Sequence, residues 1–168
     1  MAVDGVVLHL LCGHIAAGKS TLAGQLGSRP LTVVIEQDLW IARLFGDQIA
    51  TLGYARCAGR FHRALEPHLV ALLHAGVSVV LDLPVNTLNI RRWIRGIIER
   101  TGVRHQLHYL EVPTEVCRER LRERNAEGGH PFRTSERLFE AWVRAFVPPR
   151  PEEGFEIVVH RFETDQNP

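Results

Sequence analysis

Short apolar runs alternate with stretches of helical periodicity along almost the whole chain. The runs that predict β-strands cover residues 6–12, 31–36, 77–83, 106–111 and 155–160, and a helical pattern fills each gap between them. Nearly continuous apolar runs such as residues 6–12 are typical of parallel strands that are buried on both faces. The alternation therefore predicts a three-layer α/β fold, in which helices cover both faces of a doubly wound, five-stranded parallel sheet.

Length and charge limit the number of domains and the class of binding partner. The chain has 168 residues, of which 45% are hydrophobic, and this is enough for one α/β core and too little for two. We therefore predict a single domain over residues 1–168. The formal net charge is +1 and both signs are interspersed, whereas proteins that bind duplex nucleic acid carry a basic surface. The charge thus argues against a nucleic-acid partner.

Cysteine spacing and hydropathy bear on the cellular compartment. Cys12, Cys57 and Cys117 are far apart and lack the spacing of a zinc site, which favours reduced thiols in a cytosolic protein. No apolar run approaches the roughly 18 residues needed to cross a membrane, and the N-terminus has no targeting pattern. We expect a cytoplasmic protein without a membrane partner. The nine histidines show no metal-ligand spacing, and we interpret them as core or surface residues.

A glycine-rich octet is the strongest functional motif. The segment Gly13-His14-Ile15-Ala16-Ala17-Gly18-Lys19-Ser20 fits the phosphate-binding pattern G-x-x-x-x-G-K-[ST], and it lies between the first predicted strand and a helical stretch. In that order, the N–H groups of the loop and the helix N-terminus can surround phosphate oxygens. Lys19, the only lysine among twenty basic residues, can reach the β and γ phosphates, and the Ser20 hydroxyl can bind Mg²⁺. The motif predicts a nucleotide site that runs from Gly13 to Thr21.

Carboxylates follow three of the predicted strands. In an open parallel sheet, ligands bind beyond the carboxyl ends of the strands. Asp38 follows the second strand at the start of a helical pattern, where it can be a helix N-cap, a general base for an acceptor hydroxyl, or both. Asp82 ends the third strand, as a Walker B aspartate near Mg²⁺ does, although such turns often carry aspartate for local reasons. We interpret Glu111, after the fourth strand, as a turn residue.

Four arginines alternate along residues 114–125, which have helical spacing. At about 100° per residue, Arg120 and Arg124 point toward the apolar face of this helix, whereas Arg118 and Arg122 point away from it. Arg118 and Arg122 each have a glutamate three positions earlier, which is typical of a solvated face. Arg120 and Arg124 have no such partner, and an unpaired buried charge is costly unless an anion meets it. We expect a bound nucleotide to be that anion.

Together, these residues resemble the P-loop kinase superfamily and, within it, the compact ATP-dependent group of polynucleotide-kinase-like, chloramphenicol-phosphotransferase-like and zeta-toxin-like proteins. The resemblance covers nearly the whole chain and rests on residues 13–21, the strand end before Asp38, and residues 79–82, 120–125 and 146–155. It implies a P-loop NTPase fold with a short lid at about residues 120–134, and ATP and Mg²⁺ as cofactors. The implied roles are catalytic for Lys19, Asp38, Arg120 and Arg124, nucleotide-binding for residues 13–21, Arg120, Arg124 and Arg133, and metal-binding for Ser20 and Asp82.

One position departs from this group and bears on the acceptor. Polynucleotide-kinase-like members carry an arginine one helical turn after the base, whereas this chain has Ile41 three positions after Asp38. We therefore predict transfer of the γ-phosphoryl group of ATP to a hydroxyl of a small molecule. Two alternatives stay open: a nucleotide-binding switch or ATPase that controls a partner protein, and a polynucleotide 5′-hydroxyl kinase.

Two further groups of residues have two interpretations each. Five aromatic residues can form either an acceptor pocket or plain core: Trp40, Phe45, Tyr54, Phe61 and Trp93. Three arginines can contact an anionic acceptor or form a solvated face with Glu99: Arg91, Arg92 and Arg95.

Overall fold

The centre of the protein is a five-stranded parallel sheet. The computed structural model describes residues 5–128 and 132–162. The strands are β1 (Val7–Cys12), β2 (Thr32–Glu36), β3 (Ser78–Pro84), β4 (Arg104–Glu111) and β5 (Ile157–Arg161), in the spatial order β2-β3-β1-β4-β5. All four strand pairs are parallel. The predicted fold class is therefore confirmed, and each strand begins within two residues of its predicted start.

Helices connect the strands and cover both faces of the sheet. They are α1 (Lys19–Gly27), α2 (Gln37–Phe45), α3 (Gln48–Leu52), α4 (Tyr54–His74), α5 (Leu88–Thr101), α6 (Thr114–Glu127) and α7 (Glu136–Ala145), with a 3-10 turn at Pro151–Glu153. No helix in the described parts of the chain combines the length and apolar character that a membrane crossing needs. Gly128 caps the C-terminus of α6, so the predicted lid at residues 120–134 begins as helix; residues 129–131 of that lid lie outside the described residues.

Alternate residues of the central strand face different layers of helices. Leu8 and Leu10 of β1 belong to the largest buried cluster, which includes Leu69 of α4 and Ile97 of α5. Leu11, on the other face of β1, packs in a separate cluster with residues of α1. The three-layer arrangement thus follows from an apolar strand that needs cover on both sides.

The topology determines where a ligand can bind. Strand β1 lies between β3 and β4, so the chain moves to one side of β1 before it moves to the other. The loop after β1 is therefore at the point where the strand order reverses, which is where open α/β sheets bind ligands. Strand β2 is paired with β3 so that Glu36 lies opposite Asp82 at the same carboxyl edge.

Candidate active site

The phosphate-binding pattern forms the turn between β1 and α1. Helix α1 begins at Lys19, and its N-cap Gly18 has a φ of 100°. Gly13 has a φ of 153°, and a Cβ at this position would lie 2.9 Å from the carbonyl oxygen of Leu110 in β4. Only glycine avoids that contact, so the close approach of the loop to β4 explains why glycine occupies the first position of the pattern. The turn places the N-terminus of α1 at the carboxyl edge of the sheet.

Asn86 holds the first residue of this loop through both polar atoms of its side-chain amide. The N–H of Gly13 donates to Asn86 Oδ1 at 2.9 Å, and Asn86 Nδ2 donates to the Gly13 carbonyl oxygen at 2.9 Å. Asn86 follows β3 and is 73 positions away in the chain. Sequence reasoning missed it, because no local pattern marks a side chain that pairs with a distant peptide group.

The Lys19 side chain folds back onto the loop that precedes it. Its Nζ donates to the carbonyl oxygens of Gly13 at 2.9 Å and of His14 at 2.7 Å. Burial lowers the pKa of Lys19 to about 8, and the Asp82 carboxylate opposes that shift. The ammonium group therefore lies inside the phosphate loop and within electrostatic reach of the β3 carboxylate. The ring of His14 packs on Phe146 at 4.4 Å between centroids.

Asp82 has the surroundings of a residue that helps to hold a cation. Burial raises its pKa, and so does repulsion from Glu36 and Asp38, while a hydrogen bond from the Ser20 hydroxyl and the charge of Lys19 oppose the rise. The carboxylates at the ends of β2 and β3 thus repel one another, which a divalent cation would relieve. Sequence reasoning missed Glu36, although its place opposite Asp82 follows from the parallel pairing of β2 and β3.

The residues present fit a Mg²⁺ ion that also has non-protein ligands. A hydroxyl and carboxylates are the oxygen ligands that this ion prefers, and Ser20 and Asp82 already contact each other. Within the described ranges, no three carboxylate, histidine or cysteine side chains are close enough to hold a metal by themselves. Phosphate oxygens and water would therefore complete the coordination.

Asp38 lies in the first turn of α2 and is not its N-cap. The helix begins at Gln37, with Glu36 at the N-cap position and no side-chain cap. The Tyr54 hydroxyl, at the start of α4, donates a hydrogen bond to Asp38 Oδ1. Helices α2 and α4 pack through Ile41 and other buried residues, so the two elements hold this pair together. A carboxylate in a first turn is also favoured by the helix dipole.

Arg124 is the arginine of α6 that points toward this site. Its Nε and Nη2 atoms are buried and have no hydrogen-bond partner among the described residues. Burial lowers the pKa of Arg124, and the Asp38 carboxylate opposes that shift. A guanidinium in these surroundings needs an anion, so the expectation that Arg124 faces the protein agrees with its burial.

The other predictions for α6 are partly wrong. Arg120 is exposed, and its guanidinium lies 5.3 Å from the Phe162 ring. It is about 60° around the helix from buried Cys117, at the edge of the buried arc, and so it reaches solvent. Arg118 is not on a solvated face, because α7 packs there: its Nε is 2.7 Å from Glu136 and its Nη2 is 3.0 Å from Glu140. Arg122 is exposed, as predicted.

Arg133 lies beside a cavity between α6 and α7. The cavity has a volume of about 390 Å³, and Arg122, Asn125 and Thr134 also line it. Asn125 Nδ2 donates to the Thr134 carbonyl oxygen at 2.8 Å, which ties the segment before α7 to α6. Arg133 is exposed. The structure thus links Lys19, Ser20, Asp38, Asp82 and Arg124 by contacts or charge, but shows no such link for Arg120 and Arg133 among the described residues.

The aromatic residues divide between core and site. Phe61 is buried, and Phe45 packs against the same core cluster. Tyr54 contacts Asp38, and its ring meets that of Phe132 edge-on at 5.4 Å. Trp93 stacks on His62 at 4.8 Å, whereas Trp40 is 46% exposed. Neither interpretation of the five residues therefore holds for all of them.

Arg91 and Arg95 of α5 pair with carboxylates of the protein itself. Arg91 is buried, and its guanidinium binds Glu153 through Nε at 2.5 Å and Nη2 at 3.0 Å, so it is neither an acceptor contact nor solvated. Arg95 pairs with Glu99 at 3.3 Å, as one interpretation expected. Glu111 is exposed and lies 3.5 Å from Arg161.

Comparisons with known proteins agree with this architecture. Residues 8–149 match the family described as AAA domain. No curated protein matches the sequence. Kti12 of Chaetomium thermophilum, solved with ADP-AlF3, is 16% identical over 95% of this chain and 91% of its own, with a TM-score of 0.73.

Two kinases of known structure are also similar. A sugar kinase from a Janibacter species is 19% identical over 93% of this chain and 85% of its own, with a TM-score of 0.68. The APS kinase CysC of Mycobacterium tuberculosis, solved with AMPPNP and APS, is 18% identical over 96% of this chain and 90% of its own, with a TM-score of 0.60. Likeness at these identities shows the fold, which is the predicted P-loop NTPase fold.

Proposed function

The chain belongs to the AAA domain family that its residues 8–149 match, and from this premise we propose that it is an ATP-dependent phosphotransferase with a small-molecule acceptor. Its fold is that of the P-loop kinases, in agreement with the resemblance found in the sequence. The observation that carries the proposal is that Asp38 lies within electrostatic reach of Asp82 and Arg124, at the edge of the sheet that carries the phosphate loop. A nucleotide site alone does not need a carboxylate in that place.

The electrostatic contacts support a single site. The charge of Asp38 affects the pKa of both Asp82 and Arg124, and the charge of Lys19 affects the pKa of Asp82. The site therefore holds two cationic side chains for phosphate oxygens, a pair of groups for a metal, and one carboxylate held by Tyr54. This is the set that phosphoryl transfer requires, because such catalysis consists mainly of positioning and charge neutralisation.

Each group of residues in the site would have its own role in phosphoryl transfer. Loop N–H groups and Lys19 would bind the β and γ phosphate oxygens of ATP, and Arg124 would neutralise charge that develops on the transferred group. Ser20 and Asp82 would hold Mg²⁺, which when bound supplies further charge neutralisation. Asp38 would orient the acceptor hydroxyl and take its proton.

Features of the acceptor side favour a small molecule. Ile41, one turn after Asp38, is fully buried, and Arg43 is exposed, so no arginine lies where polynucleotide-kinase-like members carry one. Tyr54, Phe132 and the half-buried pair of His62 and Trp93 line the neighbourhood of the carboxylate instead. These groups suit an uncharged or ring-bearing alcohol better than a phosphate backbone.

A screen of ATP consumption tests the proposal. The candidate acceptors are nucleosides, sugars, amino alcohols, hydroxylated antibiotics and a short oligonucleotide with a free 5′ hydroxyl. We expect consumption with one class of small molecule. Lys19→Ala should abolish it, and Asp38→Asn should lower kcat at least about 100-fold with the KM for ATP within about 2-fold, because the carboxylate acts on the acceptor.

Asp47→Asn is the matched control, because Asp47 is an exposed carboxylate just beyond the end of α2. It should keep the wild-type kcat. ATP hydrolysis that no acceptor changes would contradict the proposal and favour a nucleotide-dependent switch. Transfer to the oligonucleotide would favour a polynucleotide kinase.

A further inference from the structure

We propose that Tyr54 is a positioning residue for Asp38, and that Gln37 and His62 fix the direction of its hydroxyl group. This inference rests on the proposed function, since it assumes that Asp38 takes a proton from the acceptor. The four side chains form one hydrogen-bonded row that leads from the site into the space between α2, α4 and α5.

The donors and acceptors along this row can be assigned in one direction only. Asp38 accepts from the Tyr54 hydroxyl, so the Tyr54 oxygen must accept its other bond, which comes from Gln37 Nε2 at 2.9 Å. The Gln37 amide is thereby oriented with Oε1 away from Tyr54. Gln37 Oε1 is 2.6 Å from His62 Nε2, and an amide oxygen can only accept, so His62 carries a proton on Nε2.

The far end of the row is anchored by packing. Gln37 is 4% exposed, and the His62 ring stacks on Trp93 of α5 with an interplanar angle of 20°. Trp93 Nε1 donates to Glu66 at 2.6 Å, and Arg100 Nη2 donates to the other oxygen of Glu66 at 2.6 Å. The orientation of His62 is thus set by groups outside the site.

The chemistry of Tyr54 suits a permanent donor. Burial raises its pKa, and the adjacent Asp38 charge and the hydrogen bond to it raise it further. The phenol therefore keeps its proton at neutral pH, and it is not itself the base. The hydrogen bond to one carboxylate oxygen restricts rotation of the Asp38 side chain. Such alignment matters because a displacement of a reacting group by a fraction of an ångström can lower the reaction rate by a large factor.

The kinetic test removes only the phenolic oxygen. With the acceptor found in the screen, Tyr54→Phe should lower kcat about 10- to 100-fold and leave the KM for ATP within about 2-fold, because the ring stays and the nucleotide groups are untouched. In the Asp38→Asn background, the same change should have no further effect. His62→Phe, which keeps an aromatic ring against Trp93, should lower kcat by a smaller factor. Tyr109→Phe, the other tyrosine in the chain, should keep wild-type kcat.

A measurement without turnover separates this inference from the proposed function. With ¹³Cζ-labelled tyrosine, the protein gives two resonances, which Tyr109→Phe assigns. The Tyr54 resonance should move in Asp38→Asn and in His62→Phe, and the Tyr109 resonance should not. An unmoved Tyr54 resonance in Asp38→Asn, or a wild-type kcat in Tyr54→Phe, would overturn the positioning role. A shifted resonance in a protein that phosphorylates no acceptor would overturn the proposed function and, with it, the catalytic part of this inference.

Discussion

At the scale of single residues, Asn86 shows how the phosphate loop is held in shape. Its side-chain amide oxygen and nitrogen bond to the backbone N–H and carbonyl oxygen of Gly13, which belong to the two successive peptide groups on either side of that residue. Each such bond contributes about 1 kcal/mol, so Asn86→Ala should weaken nucleotide binding roughly 5- to 30-fold. Titration with a fluorescent ATP analogue measures the change. Asn86→Asp should bind no better than Asn86→Ala, because a carboxylate oxygen would then face the Gly13 carbonyl.

The neighbouring Asn89 provides the comparison for Asn86. It is exposed in the first turn of α5, so Asn89→Ala should bind nucleotide like the wild type. Equal affinity in Asn86→Ala and Asn89→Ala would show that the loop keeps its shape without the Asn86 bonds.

The candidate site residues that the sequence could place at one edge of the sheet are those with a local pattern. Lys19 and Ser20 belong to a contiguous motif, and Asp38 and Asp82 follow apolar runs whose ends meet at one edge of a parallel sheet. Asn86, Gln37 and His62 have no such signature. Their bonds join residues 17 to 73 positions apart in the chain, and these pairs become neighbours only when α2, α4 and the β3–α5 turn pack.

At the scale of elements, Arg91 ties α5 to the segment before β5. Besides Glu153, its Nη1 binds the carbonyl oxygens of Val85 at 3.1 Å and Val147 at 2.9 Å, and the residue is 1% exposed. Arg91→Leu would leave Glu153 and two carbonyl oxygens without this donor. We expect the free energy of unfolding to fall by roughly 3–5 kcal/mol, as measured by urea denaturation.

Arg92 is the matched control on the same helix. Its side chain is exposed, so Arg92→Leu should change the unfolding free energy by no more than about 0.5 kcal/mol. Buried ion pairs can sometimes be replaced by apolar residues without loss. If both variants unfold at the same urea concentration, Arg91 gives specificity to the fold and no net stability.

Helix α6 shows why the faces of a helix cannot be assigned from one helical wheel. The wheel placed Arg124 correctly, because Arg124 lies only about 20° around the helix from buried Cys117. It placed Arg118 on the solvent side, since nothing in residues 114–125 indicates that α7 covers that side. A helix has as many buried faces as it has neighbours, and the number of neighbours is a property of the tertiary structure.

At the scale of the whole molecule, the alternation of apolar runs and helical patterns was enough to predict the layers, but not the strand order. The runs show which residues are buried on both faces. The order β2-β3-β1-β4-β5 depends on the direction in which each crossover turns, and that direction leaves no trace in the apolar pattern. It is nevertheless the strand order that brings Lys19, Asp38 and Asp82 together, since β2, β3 and β1 are successive neighbours.

The sheet also contains a row of histidines that links acid pH to the stability of the fold. His9 Nδ1 is 3.0 Å from His108 Nε2, and His108 Nδ1 is 2.9 Å from His160 Nε2, across β1, β4 and β5. Burial and the charge of Arg29 lower the pKa of His9 from 6.5 to about 4. Burial, His9, His160 and Arg29 lower that of His108 to about 4, against a weaker opposing effect of Glu156.

The sign of the pH effect follows from where the protons bind. Between pH 6.5 and about 4, the unfolded chain protonates His9 and His108 and the folded protein does not, so the stability that depends on these two residues should be complete above pH 6.5 and should fall as the pH drops toward 4. Urea denaturation at about pH 7.5 and about pH 4.5 should show a loss on the order of 2–4 kcal/mol in the wild type. His108→Gln should reduce this difference, whereas His74→Gln, at an exposed site, should keep it. A difference as large in His108→Gln as in the wild type would place the acid sensitivity outside the histidine row.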